Sequence, residues 1–234
     1  MNPLEVLGET RTPDGSDFKL ARRGNEYIIL ANGKTLMSSR MHGSEEALAT
    51  SGLREARTLR QPRVLIGGLG MGYTLRATLD LLPRGAEIVV SELVGEVVEW
   101  NRGLLGSLAG YPLKDRRVRM DVRDVAITLR AAHAHFDAVL LDVDNGPSAF
   151  SDTANAGVYD DRGLAAAHEA LRPGGILAVW SAREDRKFEQ RMRYAGFRVE
   201  VEHVRARLKK GGPHHVIFLG HKPDSSSGIP YTKH

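Results

Sequence analysis

The chain has 234 residues, 41% apolar and 26% charged, a composition that allows one sizeable α/β core with a small appendage. It carries no cysteine, which excludes disulfides, thiolate zinc sites and cysteine nucleophiles, and its formal charge of +4 is spread along the chain, which argues against a nucleic-acid partner. No apolar run is long enough to span a bilayer and the opening MNPLEVLGETRTPDG lacks a secretory layout, so a cytoplasmic protein with no membrane partner is expected.

In chain order, Phe18 to Ser39 offers short, partly alternating apolar runs separated by Arg23-Gly24-Asn25 and by Asn32-Gly33, the favoured type I′ hairpin pair. This predicts a small antiparallel β meander as an N-terminal unit over 1–42. GSEEALATSGLREARTL then predicts a helix in which Ser44 accepts from first-turn N–H groups and Glu45 and Glu46 face the positive end of the dipole.

After Arg63 strands alternate with helices. RVLIGG, AEIVVSE, RVRMDV and FDAVLLDVD read as strands; MGYTLRATLDLL, GEVVEWNRGLL, a short segment after Val122 and GLAAAHEAL read as helices. The strand cores are continuous apolar runs, as a parallel sheet covered on both faces requires. ILAVWSA, a charged helix EDRKFEQRMRYA, and the strands FRVEVEHV and HHVIFLG follow, so the parallel sheet is expected to end in an antiparallel hairpin. A catalytic unit over 43–222 and a flexible tail over 223–234 complete the expected organisation.

Four glycines, Gly67, Gly68, Gly70 and Gly72, stand between the first parallel strand and its helix. The dinucleotide pattern G-x-G-x-x-G fails, because Tyr73 or Leu75 stands where its last glycine belongs. The spacing instead resembles the nucleoside-binding turn of S-adenosylmethionine-dependent methyltransferases and their relatives. A strand, a glycine turn and a helix present free N–H groups at the carboxyl edge of the sheet, the usual ligand crevice of such folds. The next strand ends in Glu92, placed to accept from both ribose hydroxyls. The one after leads to Asp124, placed to accept from an adenine amino group, with Asp121 as the register-shifted alternative.

The strand FDAVLLDVD ends in Asp142 and Asp144, which share a face if the chain stays extended, before Gly146-Pro147 breaks the run. Together GGLGMG, SEL, KDRRVRMDVRD, LLDVDNGP and LRPGGILAVW resemble, in order, the polyamine aminopropyltransferase family that includes spermidine synthase, over about 33–222. The resemblance implies a small N-terminal β domain before a Rossmann-like domain of the class I methyltransferase type, and a homodimer. It also implies a site for decarboxylated S-adenosylmethionine or S-adenosylmethionine, with Glu92 on the ribose, Asp124 at the adenine and Asp142 at the attacking amine. An alkylammonium is almost fully protonated at neutral pH, so a carboxylate at the reacting nitrogen suits the chemistry. Asp144 is placed to hold a cationic acceptor.

Three departures bear on the acceptor. The second family acid stands two places on rather than three, Gly43-Ser44-Glu45-Glu46 replaces the family's Tyr-His-Glu stretch, and Lys209 to His215 replaces its Thr-Tyr-Pro stretch. Tyr73, Tyr159 and Trp180 remain as aromatic candidates for the pocket wall. His214 and His215, pointing to opposite faces of a strand, are read as structural or solvent-facing, and residues 183–186 as a helix start with solvated partners. The expectation is a metal-free transferase that alkylates a small-molecule amine. The alternatives are a methyltransferase on the same scaffold and a non-catalytic nucleoside-binding protein.

Overall fold

The computed structural model of the chain describes residues 2–12, 15–143, 147, 156–206 and 212–224. Asp144, Asn145 and Gly146, with Lys209 and Lys210 of the last hairpin and the tail beyond Asp224, lie outside them.

The N-terminal unit is a four-stranded antiparallel sheet in the order β1 (Glu5–Arg11), β2 (Asp17–Arg23), β3 (Glu26–Ala31), β4 (Lys34–Ser38). Asn32 and Gly33 take φ of 49° and 75°, the positive pair that a type I′ turn demands. Strand β1 was not foreseen within the meander. Its residues are mostly exposed and its register shifts between Val6 and Gly8, so it carries no apolar alternation to read.

The larger sheet has seven strands in the order β10-β11-β9-β8-β5-β6-β7. Strands β5 (Arg63–Gly67), β6 (Glu87–Glu92), β7 (Val118–Val122), β8 (Phe136–Leu141) and β9 (Leu171–Ser181) are parallel, while β10 (Arg198–Arg205) and β11 (His214–His221) form an antiparallel hairpin against β9. This is the Rossmann-like arrangement expected.

Side chains alternate across that sheet. On one face Ile66, Leu140 and Ala178 pack with Leu48, Ala49 and Leu53 of and just beyond α1 (Gly43–Gly52), and with Leu75 and Leu79 of α2 (Tyr73–Leu81) and Val97 and Val98 of α3 (Gly95–Arg102). On the other, Leu65, Val139, Leu141 and Val179 meet α4 (Val125–Arg130), α5 (Ala156–Tyr159), α6 (Asp161–Ala170) and α7 (Arg186–Tyr194). A third cluster joins the small sheet to this frame, with Leu20 and Ile29 packed on Met71 and Leu105. Among the described residues no helix is long and apolar enough to cross a membrane.

One local expectation fails. The N-cap position of α1 is His42 without a side-chain cap, and Ser44, one residue inside the helix, donates its hydroxyl to Glu45 instead of accepting from the first turn.

Candidate functional site

Strand order reverses between β5 and β8, which opens a crevice at their carboxyl ends. The glycine turn lies there, tied to both neighbours: Gly68 N donates to Ser91 O at 2.8 Å, and Asp142 N donates to Gly67 O at 2.8 Å. Gly68 holds φ +90°, and a Cβ on it would run into the carbonyl oxygen of Asp142. No other residue fits that position without moving the end of β8. Gly72 occupies the left-handed N-cap of α2. The Met37 thioether from β4 lies over Gly70, and Asn101 of α3 donates Nδ2 to Gly70 O at 2.8 Å from the other side.

Glu92 closes β6 at 9% exposure, and both its oxygens accept backbone N–H groups, from Leu69 at 2.8 Å and from Val94 at 2.9 Å. It therefore braces the glycine turn before it meets any ligand. A carboxylate oxygen can accept more than one bond, so bracing and ligand binding are compatible. Asp124 is the N-cap of α4, accepting from Ala126 N at 2.8 Å, and it lines the same cavity as Glu92, Gly68 and Gly70. Asp121 does not line it; it pairs with Arg123 at 2.6 Å and accepts from Thr128 Oγ1 at 3.2 Å.

Asp142 follows β8 directly. Thr74, in the first turn of α2, donates its hydroxyl to Asp142 Oδ2 at 2.6 Å, which fixes the carboxylate's rotation toward the glycine turn. The cavity shared by these groups has a volume of about 730 Å³. The pairing of Asp142 with Asp144 falls outside the described residues.

Beside Trp180, which the sequence offered as a wall candidate, the opposite wall contains groups that sequence reasoning did not place in the site. Glu45 enters from α1, Trp180 from the end of β9, His215 from the start of β11, and Arg183 from the segment after β9. Ser44 Oγ lies 2.7 Å from Glu45 Oε2 and 3.0 Å from His215 Nδ1, and the Trp180 and His215 rings meet edge to face at 4.6 Å. Burial, followed by the charge of Asp142, pushes the Glu45 carboxyl up to about 8. Burial, and then neighbouring His214, lowers the basicity of His215. His215 therefore lines the cavity half-buried, and Arg183 lines it while remaining exposed, next to the helix start where Glu184 pairs with His203 and Asp185 caps α7.

The signal for Glu45 was available. Glu45, Leu48, Ala49 and Gly52 follow the i, i+3, i+4, i+7 spacing of one buried stripe, so a carboxylate interrupts an apolar face. His215 shares strand parity with buried Ile217 and Leu219, which face α1.

Of the three aromatic candidates only Trp180 lines the cavity. Tyr73 stacks on His42 at 4.2 Å and donates to Ser39 O, and burial followed by the charges of Glu45 and Glu46 pushes its hydroxyl up to about 12. Tyr159 donates to Val143 O at 3.1 Å and sets its ring against Phe188. Among the described residues no group of three or more His, Asp or Glu side chains is arranged to hold a metal ion.

A family model described as the spermine/spermidine synthase domain matches residues 41–199. Among solved structures, the spermidine synthase of Thermotoga maritima superposes with a TM-score of 0.73 at 18% identity, over 93% of this chain and 73% of that one. A spermidine synthase in complex with the transition state analogue AdoDATO gives 0.72 at 17% identity, over 93% and 72%. A probable spermidine synthase from Corynebacterium glutamicum gives 0.62 at 18% identity, over 92% and 79%. Likeness at these identities speaks to the fold. No curated protein sequence matches the chain.

Proposed function

The chain belongs to the spermine/spermidine synthase domain family, and from that premise we propose that it transfers an aminopropyl group from decarboxylated S-adenosylmethionine to the nitrogen of a small amine. The observation that carries the reading is that the Asp142 carboxylate and the glycine turn line one cavity. A related fold carries AdoDATO, a transition state analogue, in a spermidine synthase.

The residues fit an adenosyl donor. The cavity is large enough for a nucleoside with a short alkyl tail, and its floor is a glycine turn where added carbon would meet Met37 or the backbone at Asp142. In this reading Glu92 accepts from the ribose hydroxyls while bracing the turn, and Asp124 accepts from the adenine amino group. The donor, when bound, supplies a carbon activated by an adjacent sulfonium.

The acceptor nitrogen must arrive with a free lone pair, although alkylammonium groups lose their proton only near a pKa of about 10. Asp142 takes or holds that proton, and the bond from Thr74 keeps its carboxylate aimed.

The test is incubation with decarboxylated S-adenosylmethionine and a panel of amines, with mass spectrometry of the products. An added aminopropyl group supports the reading. Methyl transfer from S-adenosylmethionine in its place would replace it with the methyltransferase alternative, and nucleoside binding without transfer would leave a binding protein.

A further inference from the structure

Glu45 and His215 line the cavity together with Asp142, and Ser44 joins them in a continuous hydrogen-bonded chain. Glu45 and Ser44 are buried, at 9% and 1% exposure, whereas His215 is only half-buried. Ser44 Oγ sits between Glu45 Oε2 at 2.7 Å and His215 Nδ1 at 3.0 Å, so one hydroxyl can donate to either partner and accept from the other. We propose that Glu45, Ser44 and His215 are a proton exit serving the acceptor side of the cavity, so that entry of a cationic amine between Glu45 and Asp142 expels one proton to solvent. The proposal deepens the aminopropyltransferase reading and rests on it for the identity of the amine.

The groups facing Glu45 agree. Asp142 beyond β8 and Glu46 on its own helix both raise its affinity for a proton, burial adds to this, and the Ser44 hydroxyl bond opposes it. Tyr73 on α2 feels the charge of Glu45 but is held neutral, and Glu46 is engaged with His42 Nδ1 at 2.7 Å. Without an amine, burial and the charge of Asp142 thus favour a proton on Glu45.

A bound ammonium reverses the preference, because two carboxylates flanking a cation are both favoured as anions. The Glu45 O–H bond then breaks and its proton passes to Ser44 Oγ. The Ser44 hydroxyl proton passes to His215 Nδ1, and the resulting imidazolium loses its Nε2 proton to solvent. The reduced basicity of His215 suits a carrier that does not retain the charge. The balance is one ammonium bound, one carboxyl ionised and one proton released.

The test titrates 1,4-diaminobutane into the full chain at about pH 7, with and without 5′-methylthioadenosine, in two buffers of different ionisation enthalpy. Wild type should release about one proton per diamine, and Glu45→Gln should release none. With a pH indicator in stopped flow, Ser44→Ala and His215→Phe should keep the stoichiometry but slow the release by about tenfold or more, since they remove the path and not the acid. Equal enthalpies in the two buffers for wild type, release persisting in Glu45→Gln, or no diamine binding at all would each overturn the proposal. Unslowed release in both path variants would overturn the exit. Failure of 5′-methylthioadenosine to bind, with proton release intact, would sink the donor site and leave the exit standing.

Discussion

Thr74 of α2 donates its hydroxyl to Asp142 Oδ2 at 2.6 Å, joining the first turn after the glycine loop to the residue that follows β8. The bond aims a carboxylate without neutralising it. Asp142→Asn keeps the shape but not the basicity, so turnover should fall by about 10²–10⁴. Thr74→Val removes only the aim and should cost about tenfold. Both variants should bind 5′-methylthioadenosine as wild type does, measured by calorimetry. Wild-type turnover in Asp142→Asn would eliminate its role.

Gly68 and Gly110 both hold positive φ, at +90° and +65°, but only Gly68 faces backbone where a Cβ would stand. Gly110→Ala should therefore cost about 1 kcal/mol, the price of the dihedral alone. Gly68→Ala adds a collision with the Asp142 carbonyl and should cost about 2–4 kcal/mol. Denaturant unfolding of the two variants measures the difference, and equal losses would show that the end of β8 yields.

Glu92 satisfies two buried N–H groups, those of Leu69 and Val94. Glu92→Ala strands both and should lower stability by about 2–4 kcal/mol while weakening nucleoside binding. Glu92→Gln retains one carbonyl acceptor and should fall between the two proteins in both measurements. Undiminished affinity for 5′-methylthioadenosine in a folded Glu92→Ala chain would separate the bracing role from any contact with ribose.

Asp115 takes Arg117 Nε at 2.9 Å and Nη2 at 2.8 Å, while Arg117 Nη1 donates to Leu82 O at 2.8 Å, which pins the start of β7 to the end of α2. The side-chain bond from Arg117 lowers the Asp115 carboxyl from 3.8 to about 2. Folding thus favours the ionised form, so the contribution is fully present above 3.8 and is lost as pH falls toward about 2. Asp115→Asn should have the lower melting temperature at neutral pH, and thermal scans of the two proteins should converge toward the bottom of that window. A gap that stays constant with pH would assign the effect to packing.

The parallel sheet was legible because continuous apolar runs and glycine or proline breaks leave one reasonable register, and Asp142 was legible because it ends such a run. Asp124 was legible as a position, although its cap on α4 was not, since a capping aspartate and a ligand-binding one look alike before a short helix. Trp180 was legible as a wall candidate, but the wall that it forms with Glu45 and His215 was harder to see. Its members lie far apart in sequence and meet only because α1 and the final hairpin pack on one face of the sheet. Strand β1 escaped because pairing with β2, rather than any buried face of its own, defines it.

The Met37 thioether lying over Gly70 has a redox consequence. Oxidation to the sulfoxide would place a polar oxygen on the floor of the cavity, where Met41 also contributes to the wall. The chain has no cysteine, so inactivation by peroxide could not be traced to a thiol. Peroxide damage that a methionine sulfoxide reductase repairs would lead first to these two side chains, and Met37→Leu would make the protein more tolerant of oxidants through a change made entirely outside the seven-stranded sheet.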